Sequence, residues 1–147
     1  MPEIKTCKFC RIVSGELLAP IVLDDESCMA FLDYRPLFPG HCLLVPRAHH
    51  ETLMDLPDHL TGPLFSNAKL LCRAVEESMN AEGTFVAINN KISQSVPHLH
   101  VHVVPRKKKD GLKGFFWPRH PYVDEGEMRE VAERIRAAVD QLRPGPG

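Results

Sequence analysis

The chain has 147 residues, of which 44% are hydrophobic and 25% are charged, and its formal net charge at pH 7 is −1. These values are typical of one globular domain with a core, and they exclude a disordered chain or a strongly basic protein that attracts nucleic acid through its net charge. The first residues contain no apolar run of the kind found in a secretion signal, and no apolar segment is long enough to span a bilayer. The five cysteines are an odd number, which argues against a full disulfide framework and favours a reducing cytoplasm.

The elements predicted along the chain are short strands and three helices. A short helix covers residues 7–15 and ends at a glycine, and a long helix carries apolar residues at helical spacing between 60 and 79, with Pro57 or Pro63 in its first turn. Strands close together in sequence favour an α+β fold, with a mostly antiparallel sheet and helices packed on it. The predicted strands cover residues 21–23, 27–32, 41–46, 85–88 and 98–104.

The segment after Arg106 differs in character from the rest. Phe115, Phe116 and Trp117 make it too apolar for a free linker. A third helix is predicted to start at Asp124, with Glu127 as a capping-box-like partner three residues on. One apolar stripe of this helix comprises Met128, Val131, Ile135, Ala138 and Leu142.

The segment from Val96 to Arg106 carries the most informative pattern, because apolar and imidazole side chains alternate in it with period two, as in a half-buried strand. Side chains alternate across a strand, so three histidines line one face while the residues between them enter a core. Single histidines on strands are usually solvated, but three in register beside a Gln-Ser pair favour proton transfer, nucleophilic attack or metal binding. The histidines are His98, His100 and His102, the core residues are Leu99, Val101 and Val103, and the pair is Gln94 and Ser95.

Strand geometry limits what the row of histidines can do. A strand rises about 3.3 Å per residue, so the Cα atoms of His98 and His102 are expected roughly 13 Å apart. Bonds from zinc to imidazole nitrogen are only about 2 Å long, so the three rings of an extended strand do not readily bind one ion. The histidines are therefore expected to divide their roles, and the central His100 is the candidate nucleophile.

This row and several other motifs resemble the histidine triad (HIT) family of nucleotide hydrolases and transferases, whose signature is His-x-His-x-His followed by two apolar residues. The resemblance covers the core, at about residues 7–106, of a single HIT domain predicted over residues 1–147, and an extension containing a helix at 107–142 and a frayed tail at 143–147 are expected to follow it. The resemblance implies a five-stranded antiparallel sheet, usually doubled in a homodimer. The matching motifs are Phe9, Ala30-Phe31-Leu32-Asp33, Pro39-Gly40-His41, Leu43-Leu44-Val45-Pro46, Gln94-Ser95-Val96 and the triad with Val103 and Val104.

The resemblance implies a covalent mechanism. The counterpart of His100 attacks the α-phosphorus of a nucleotide, and water then hydrolyses the nucleotidyl-histidine intermediate. In-line displacement at phosphorus needs hydrogen-bond donors for the non-bridging oxygens and the leaving group, which His102, Gln94 and Ser95 can supply. His41 is expected to support the nucleophile, with a merely structural role as the alternative.

Recognition of the nucleoside is also implied by the resemblance. Asp33 corresponds to an aspartate that accepts from ribose hydroxyls, and Asn89 aligns with an asparagine near the phosphate or ribose. Three apolar residues match positions that flank the base, although each is equally compatible with a plain core role. They are Phe9, Ile12 and Phe31. The chain departs from many relatives at Ser93, where those relatives have glycine before the Gln-Ser pair, and this puts the phosphate-side contacts in doubt.

The Cys7-x-x-Cys10 spacing is typical of half a structural zinc site. Some HIT proteins carry this pair with two histidines, and His49 and His98 stand at the matching positions. The sequence therefore predicts one structural Zn²⁺ per chain on these four residues. A redox dithiol and two unliganded thiols are the alternatives, and His50 beside His49 leaves the third ligand open.

The leading hypothesis is thus a HIT-type hydrolase or nucleotidyl transferase that acts on a purine nucleotide conjugate, such as a phosphoramidate, an adenylate or a dinucleoside polyphosphate, with no organic cofactor. A nucleotide-binding regulatory protein with weak or no turnover is the alternative, and a metalloenzyme using the histidine row is disfavoured by the strand spacing. Nucleic acid and membranes are not expected partners. The basic run Arg106–Lys109 either is a solvated loop or attracts a polyphosphate, with an aromatic residue of 115–117 stacking on a second base.

Overall fold

The computed structural model describes residues 5–112 and 119–144. The chain divides into two compact units, residues 1–111 and 112–147, and each is described by itself. The first unit contains a five-stranded sheet in the order β1-β2-β3-β5-β4, in which all neighbouring strands are antiparallel. The predicted α+β class and the five-stranded antiparallel sheet are confirmed. The elements are α1 (Lys8–Val13), β1 (Ile21–Asp24), β2 (Cys28–Leu32), β3 (Cys42–Pro46), a 3₁₀ turn (Leu53–Asp55), α2 (Asp58–Ser78), β4 (Gly83–Ala87), β5 (Val101–Arg106) and α3 (Glu125–Leu142).

Both faces of the sheet are covered, and the apolar and imidazole side chains that alternate along the histidine segment lie on the sides of two different cores. Leu99, Val101 and Val103 belong to the core that includes Leu64 and Leu71 of α2. The opposite face packs with α1 in a second core, made of Cys7, Phe9, Cys10, Ile12, Met29, Phe31, Leu43 and Val45. Because this second core lies on the histidine side, the expectation of a half-buried strand is wrong for two of the three histidines. His98 is fully buried and His100 is 5% exposed.

The predicted strand at 98–104 starts too early, since β5 begins at Val101. The backbone N–H of Leu99 donates to the carbonyl of His50 at 2.7 Å, outside the sheet ladder. The facing carbonyl, that of Pro46, accepts instead from the Nε2–H of the His98 ring at 2.9 Å. A side chain thus occupies the place of a ladder hydrogen bond, which the period-two pattern does not reveal. β4 likewise runs over Gly83–Ala87 rather than over 85–88.

The helix ends follow simple backbone rules. α1 ends at Val13, and Gly15 beyond it has a φ of +85°, the left-handed conformation in which glycine stops helices. Pro57 immediately precedes α2, whereas Pro63 is the sixth residue of the helix, so neither proline has the predicted first-turn position. Proline at an interior position removes one helical hydrogen bond.

The second unit contains α3, whose predicted start at Asp124 is confirmed. The Asp124 carboxylate accepts from the N–H of Glu127 at 2.8 Å, and the Glu127 carboxylate accepts from the N–H of Val123 at 2.9 Å. Phe115, Phe116 and Trp117 lie outside the described residues. In the described parts of the chain, we find no helix with the length and apolar character needed to cross a membrane.

Candidate active site and metal centre

Two thiols and two imidazoles meet in a buried cluster at the start of α1. Cys7 directly precedes α1 and Cys10 lies within it, whereas His49 follows β3 and His98 precedes β5. All four are buried, and their potential ligand atoms lie within 4.8 Å of one another. The structure thus brings together the four residues predicted as metal ligands. Of the two adjacent histidines, His49 belongs to the cluster.

The distances within this Cys/His cluster fit a tetrahedral metal site. Sγ–Nδ1 separations are 3.3 Å for Cys10 and His49, 3.5 Å for Cys7 and His98, and 3.6 Å for Cys10 and His98. Zinc bonds of about 2.3 Å to sulfur and 2.0–2.1 Å to nitrogen at the tetrahedral angle give a sulfur–nitrogen edge of about 3.6 Å. The donor set and its spacing are therefore compatible with Zn²⁺. Four protein ligands leave no open position for substrate.

The ring of His98 is held in the orientation that such a metal site requires. Its Nε2–H donates to the Pro46 carbonyl at 2.9 Å, so Nδ1 keeps its lone pair and faces both thiols. Burial lowers the pKa of His98 to about 4, which keeps the ring neutral. A neutral imidazole whose other nitrogen donates to a carbonyl is the usual form of a histidine metal ligand.

His100 has the opposite orientation. Its Nδ1–H donates to the His98 carbonyl at 2.7 Å, which leaves Nε2 as the nitrogen with a free lone pair. Burial lowers the pKa of His100, although the bond to the His98 carbonyl and the charge of Asp33 act in the other direction. The Phe9 ring packs edge-on against His100 with centroids 5.1 Å apart. His100 is thus a neutral, fixed imidazole with one nucleophilic nitrogen.

His41 and His102 form a hydrogen-bonded pair whose protons can be assigned. The N–H of Leu37 donates to His41 Nδ1 at 3.1 Å, so the His41 proton is on Nε2. That proton is donated to His102 Nδ1 at 2.9 Å, and neutral His102 therefore carries its own proton on Nε2. Burial lowers the pKa of His102 to about 4 and also lowers the pKa of His41. The pair presents a neutral N–H donor.

A second group of metal-binding residues, Asp33, His41 and His102, offers three donor atoms within 4.8 Å of one another. Ligation through His41 Nε2 requires the proton to move to Nδ1. The Leu37 N–H already points at Nδ1, so two donors would then face each other. This arrangement disfavours a metal here and supports a division of the triad, in which His98 belongs to the Cys/His cluster and His102 to the pair with His41.

A cavity of about 450 Å³ lies beside the histidines. Most of the predicted nucleotide-binding residues line it, and they include both histidines and apolar side chains. The predicted lining residues found there are Phe9, Ile12, Phe31, Asp33, Ser95, His100 and His102. The Asp33 carboxylate lies 3.8 Å from His41 Nε2, so one carboxylate adjoins the pair of His41 and His102.

Gln94 and Asn89 take other positions. The Gln94 side chain joins two backbone segments, since its Oε1 accepts from the N–H of Lys91 at 2.8 Å and its Nε2 donates to the Glu51 carbonyl at 2.6 Å. Gln94 therefore fixes the loop that carries Ser95. Asn89 lies exposed just after β4. Neither residue is part of the described cavity lining.

The basic run starts at Arg106, the last residue of β5, and continues into the turn that follows the strand. Arg106 donates to the Asp110 carboxylate at 2.6 and 3.1 Å, and the backbone N–H of Lys107 donates to the same carboxylate. Lys107 lines a smaller cavity together with Phe38 and Pro39. None of the residues 106–109 is among the described lining of the larger cavity. A role for this run with polyphosphates stays a prediction.

Several parts of the site were not predicted. Lys8 and Tyr34 line the cavity, and the segment between α1 and β1 supplies an apolar wall of Leu17, Leu18, Ala19 and Pro20. The position of Tyr34 next to Asp33 was a usable signal. No feature of the sequence indicated that Lys8 lines the cavity, because a lysine on a short helix is usually solvated. The backbone groups of Leu37 and Pro46, which set the tautomers of His41 and His98, carry no side-chain signature.

Residues 14–109 match the family model described as the HIT domain. The Arabidopsis thaliana protein named adenylylsulfatase HINT3 is 32% identical over 108 residues, which are 72% of this chain and 55% of that protein. The Schizosaccharomyces pombe protein named adenosine 5'-monophosphoramidase hnt1 is 28% identical over 136 residues, which are 91% of this chain and 98% of that protein.

Solved structures share the fold. A member of the HIT family from Bacillus subtilis superimposes with a TM-score of 0.84 at 28% identity, covering 97% of this chain and all of the other. A zinc-bound histidine triad family protein from Mycobacterium smegmatis superimposes with a TM-score of 0.70 at 33% identity, covering 90% of this chain and 97% of the other.

Proposed function

The chain belongs to the HIT family, and we propose that it hydrolyses or transfers the nucleotidyl group of a purine nucleotide conjugate through a covalent intermediate on His100. The observation that carries this proposal is the orientation of His100, whose Nδ1–H is bound to the His98 carbonyl while the ring lines the cavity. A neutral imidazole with one free nitrogen is a competent nucleophile at pH 7. The relatives named adenylylsulfatase and adenosine 5'-monophosphoramidase support a substrate in which an adenylyl group is bonded to a leaving group.

The first step is an in-line displacement at the α-phosphorus. The lone pair of His100 Nε2 forms the bond to phosphorus, and the bond from phosphorus to the leaving group breaks with its electron pair. His102 Nε2–H and the Ser95 hydroxyl are donors that line the cavity and stabilise the phosphate oxygens or the leaving group. Water then breaks the bond between phosphorus and His100 and releases the nucleoside monophosphate.

His41 acts through His102. Its Nε2–H is bonded to His102 Nδ1, so the donor at His102 Nε2 is directed into the site without a change of net charge. Asp33 is proposed to accept from the ribose hydroxyls, since one of its oxygens binds only the N–H of Arg35 among the bonds described and its side chain is 19% exposed. Phe9, Ile12 and Phe31 form the apolar part of the cavity that takes the base.

We also propose that Cys7, Cys10, His49 and His98 hold one structural Zn²⁺. The tetrahedral spacing of these four buried residues and the zinc-bound relative from Mycobacterium smegmatis support this assignment. Bound zinc would tie the start of α1 to the segments before α2 and β5, and its role is to hold the fold around the site. From the family resemblance we also propose that the protein forms a homodimer and is located in the cytoplasm.

A hydrolysis panel tests the proposed activity. Adenosine and guanosine phosphoramidates, adenosine 5'-phosphosulfate and diadenosine polyphosphates are incubated with the wild-type protein and with His100→Ala, and nucleoside monophosphate is quantified. We expect turnover of at least one of these conjugates and none by the variant. If the wild-type protein binds AMP but turns over none of the panel, the alternative of a nucleotide-binding regulatory protein is correct.

A further inference from the structure

Lys8 and Tyr34 form a pair at the same cavity that the proposed mechanism does not use. Lys8 is the first residue of α1, and Tyr34 directly follows Asp33 after β2. The Lys8 Nζ lies 4.0 Å from the centroid of the Tyr34 ring, a cation–π contact between segments 26 positions apart. Both residues line the cavity, and Tyr34 is 74% exposed. The pair therefore places an ammonium group in contact with an aromatic ring along the lining of the cavity.

The charges along the cavity give Lys8 a particular importance. Among the described lining residues, Lys8 is the one lysine or arginine and Asp33 is the one carboxylate. Asp33 lies beside the pair of His41 and His102, 3.8 Å from His41 Nε2. Lys8 lies on a different element, beside apolar side chains that include Ile12 and Leu18. A single ammonium group among apolar side chains favours ligands that place a hydrogen-bond acceptor opposite it.

We propose that Lys8, held by the Tyr34 ring, donates a hydrogen bond to the carbonyl oxygen of the base, so that the site prefers 6-oxopurine nucleotides over adenine nucleotides. This inference rests on the proposed nucleotide site. Guanine and hypoxanthine present O6 and N7 as two acceptors on one edge, whereas adenine presents an amino donor beside N7. The ammonium group has three donors and no acceptor, so an adenine amino group opposite it leaves two donors facing each other. A preference of about 10-fold or more is expected from such a contact.

The base is varied at a constant leaving group to test this. We compare kcat/KM for guanosine, inosine and adenosine 5'-phosphoramidates with the wild-type protein, Lys8→Met, Lys8→Arg and the control Lys69→Met, an exposed position on α2. The wild-type protein is expected to prefer guanosine and inosine by about 10-fold or more. Lys8→Met should bring the ratio near one by lowering the guanosine and inosine values, Lys8→Arg should retain the preference, and Lys69→Met should change nothing.

Two further measurements separate the possible failures. Calorimetric titration with GMP, IMP and AMP measures the same preference without turnover, so a protein that binds the 6-oxopurines more tightly but hydrolyses nothing overturns the proposed function and not this inference. Zinc content of Lys8→Met checks that the neighbouring Cys7 is unaffected. Equal losses on all three bases would assign Lys8 to the phosphate, and a preference for adenine in the wild-type protein would exclude the proposal.

Discussion

The carbonyl oxygen of His98 accepts the Nδ1–H of His100 at 2.7 Å, while the ring of His98 faces the thiols of the Cys/His cluster. One residue thus belongs to both parts of the site, through its side chain on one side and its backbone on the other. The tautomer of the proposed nucleophile is set by this backbone bond. The Cys/His cluster and the proposed nucleophile are therefore expected to respond to each other.

The first prediction concerns metal content. The protein purified without chelators is expected to contain one zinc per chain, and Cys10→Ser is expected to lose it. Loss of a structural metal is among the few single changes that cost more than about 4 kcal/mol, which lowers the melting temperature by about 10 °C or more in a chain of this size. Elemental analysis and calorimetry measure both. Cys72→Ser is the control, since Cys72 lies on α2 outside the cluster and should retain the metal.

The second prediction concerns the coupling of His98 to His100. Removal of zinc is expected to loosen the His98 backbone, so that the proton of His100 is shared between its two ring nitrogens. Nitrogen NMR of the histidine rings should report a single Nδ1–H tautomer for His100 with zinc and a mixture after chelation. An unchanged His100 tautomer in metal-free, folded protein would show that the two parts are independent.

The third prediction concerns acid stability. Burial lowers the pKa of His102 in the folded state from an ordinary value of 6.5 to about 4, so the unfolded chain binds more protons between these values. Stability from this group is therefore fully present above pH 6.5 and decreases as the pH falls towards 4. Urea unfolding at constant zinc is expected to give a shallower pH dependence for His102→Gln than for the wild-type protein. His59→Gln, at an exposed position on α2, should leave the slope unchanged.

The fourth prediction concerns the backbone conformation of Ser93. Its φ of +60° is left-handed, a conformation that costs a non-glycine residue roughly 1–2 kcal/mol. Ser93→Gly removes this cost but increases the entropy of the unfolded chain, so a net stabilisation of about 0.5–1 kcal/mol is expected in denaturant unfolding. Ser66→Gly, in the middle of α2, should destabilise by about 0.5 kcal/mol instead. Equal effects of the two substitutions would contradict the explanation.

The α+β class could be predicted because it depends on local periodicity, and the separation of His98 from His102 could be predicted because it depends on strand rise and bond lengths. Period two placed Leu99, Val101 and Val103 on one face, and the spacing of His98 and His102 separated their roles. Burial of the histidine face was not predictable, since α1 covers it from a distant part of the chain.

Other features of the site depend on backbone geometry. His49 rather than His50 enters the Cys/His cluster, while the His50 carbonyl binds the N–H of Leu99 at 2.7 Å. Two adjacent histidines do not encode this choice. The N–H of Leu37 fixes the proton of His41 on Nε2, and the bond from that nitrogen to His102 Nδ1 leaves the proton of His102 on its own Nε2. Every residue except proline has a backbone N–H, so the amino-acid sequence does not reveal this donor.

The most direct test of the proposed mechanism is the capture of the covalent intermediate. The protein is mixed with adenosine and guanosine 5'-phosphoramidates, quenched within the first turnover under conditions that preserve phosphoramidate bonds, and its peptides are analysed by mass spectrometry. We predict one nucleotidyl group on the peptide that contains His100, located to that side chain. His100→Ala should bind AMP or GMP normally, lose turnover by at least about 1000-fold and acquire no adduct. Turnover by the wild-type protein with no adduct at any time, or near-normal turnover by His100→Ala, would contradict the covalent mechanism.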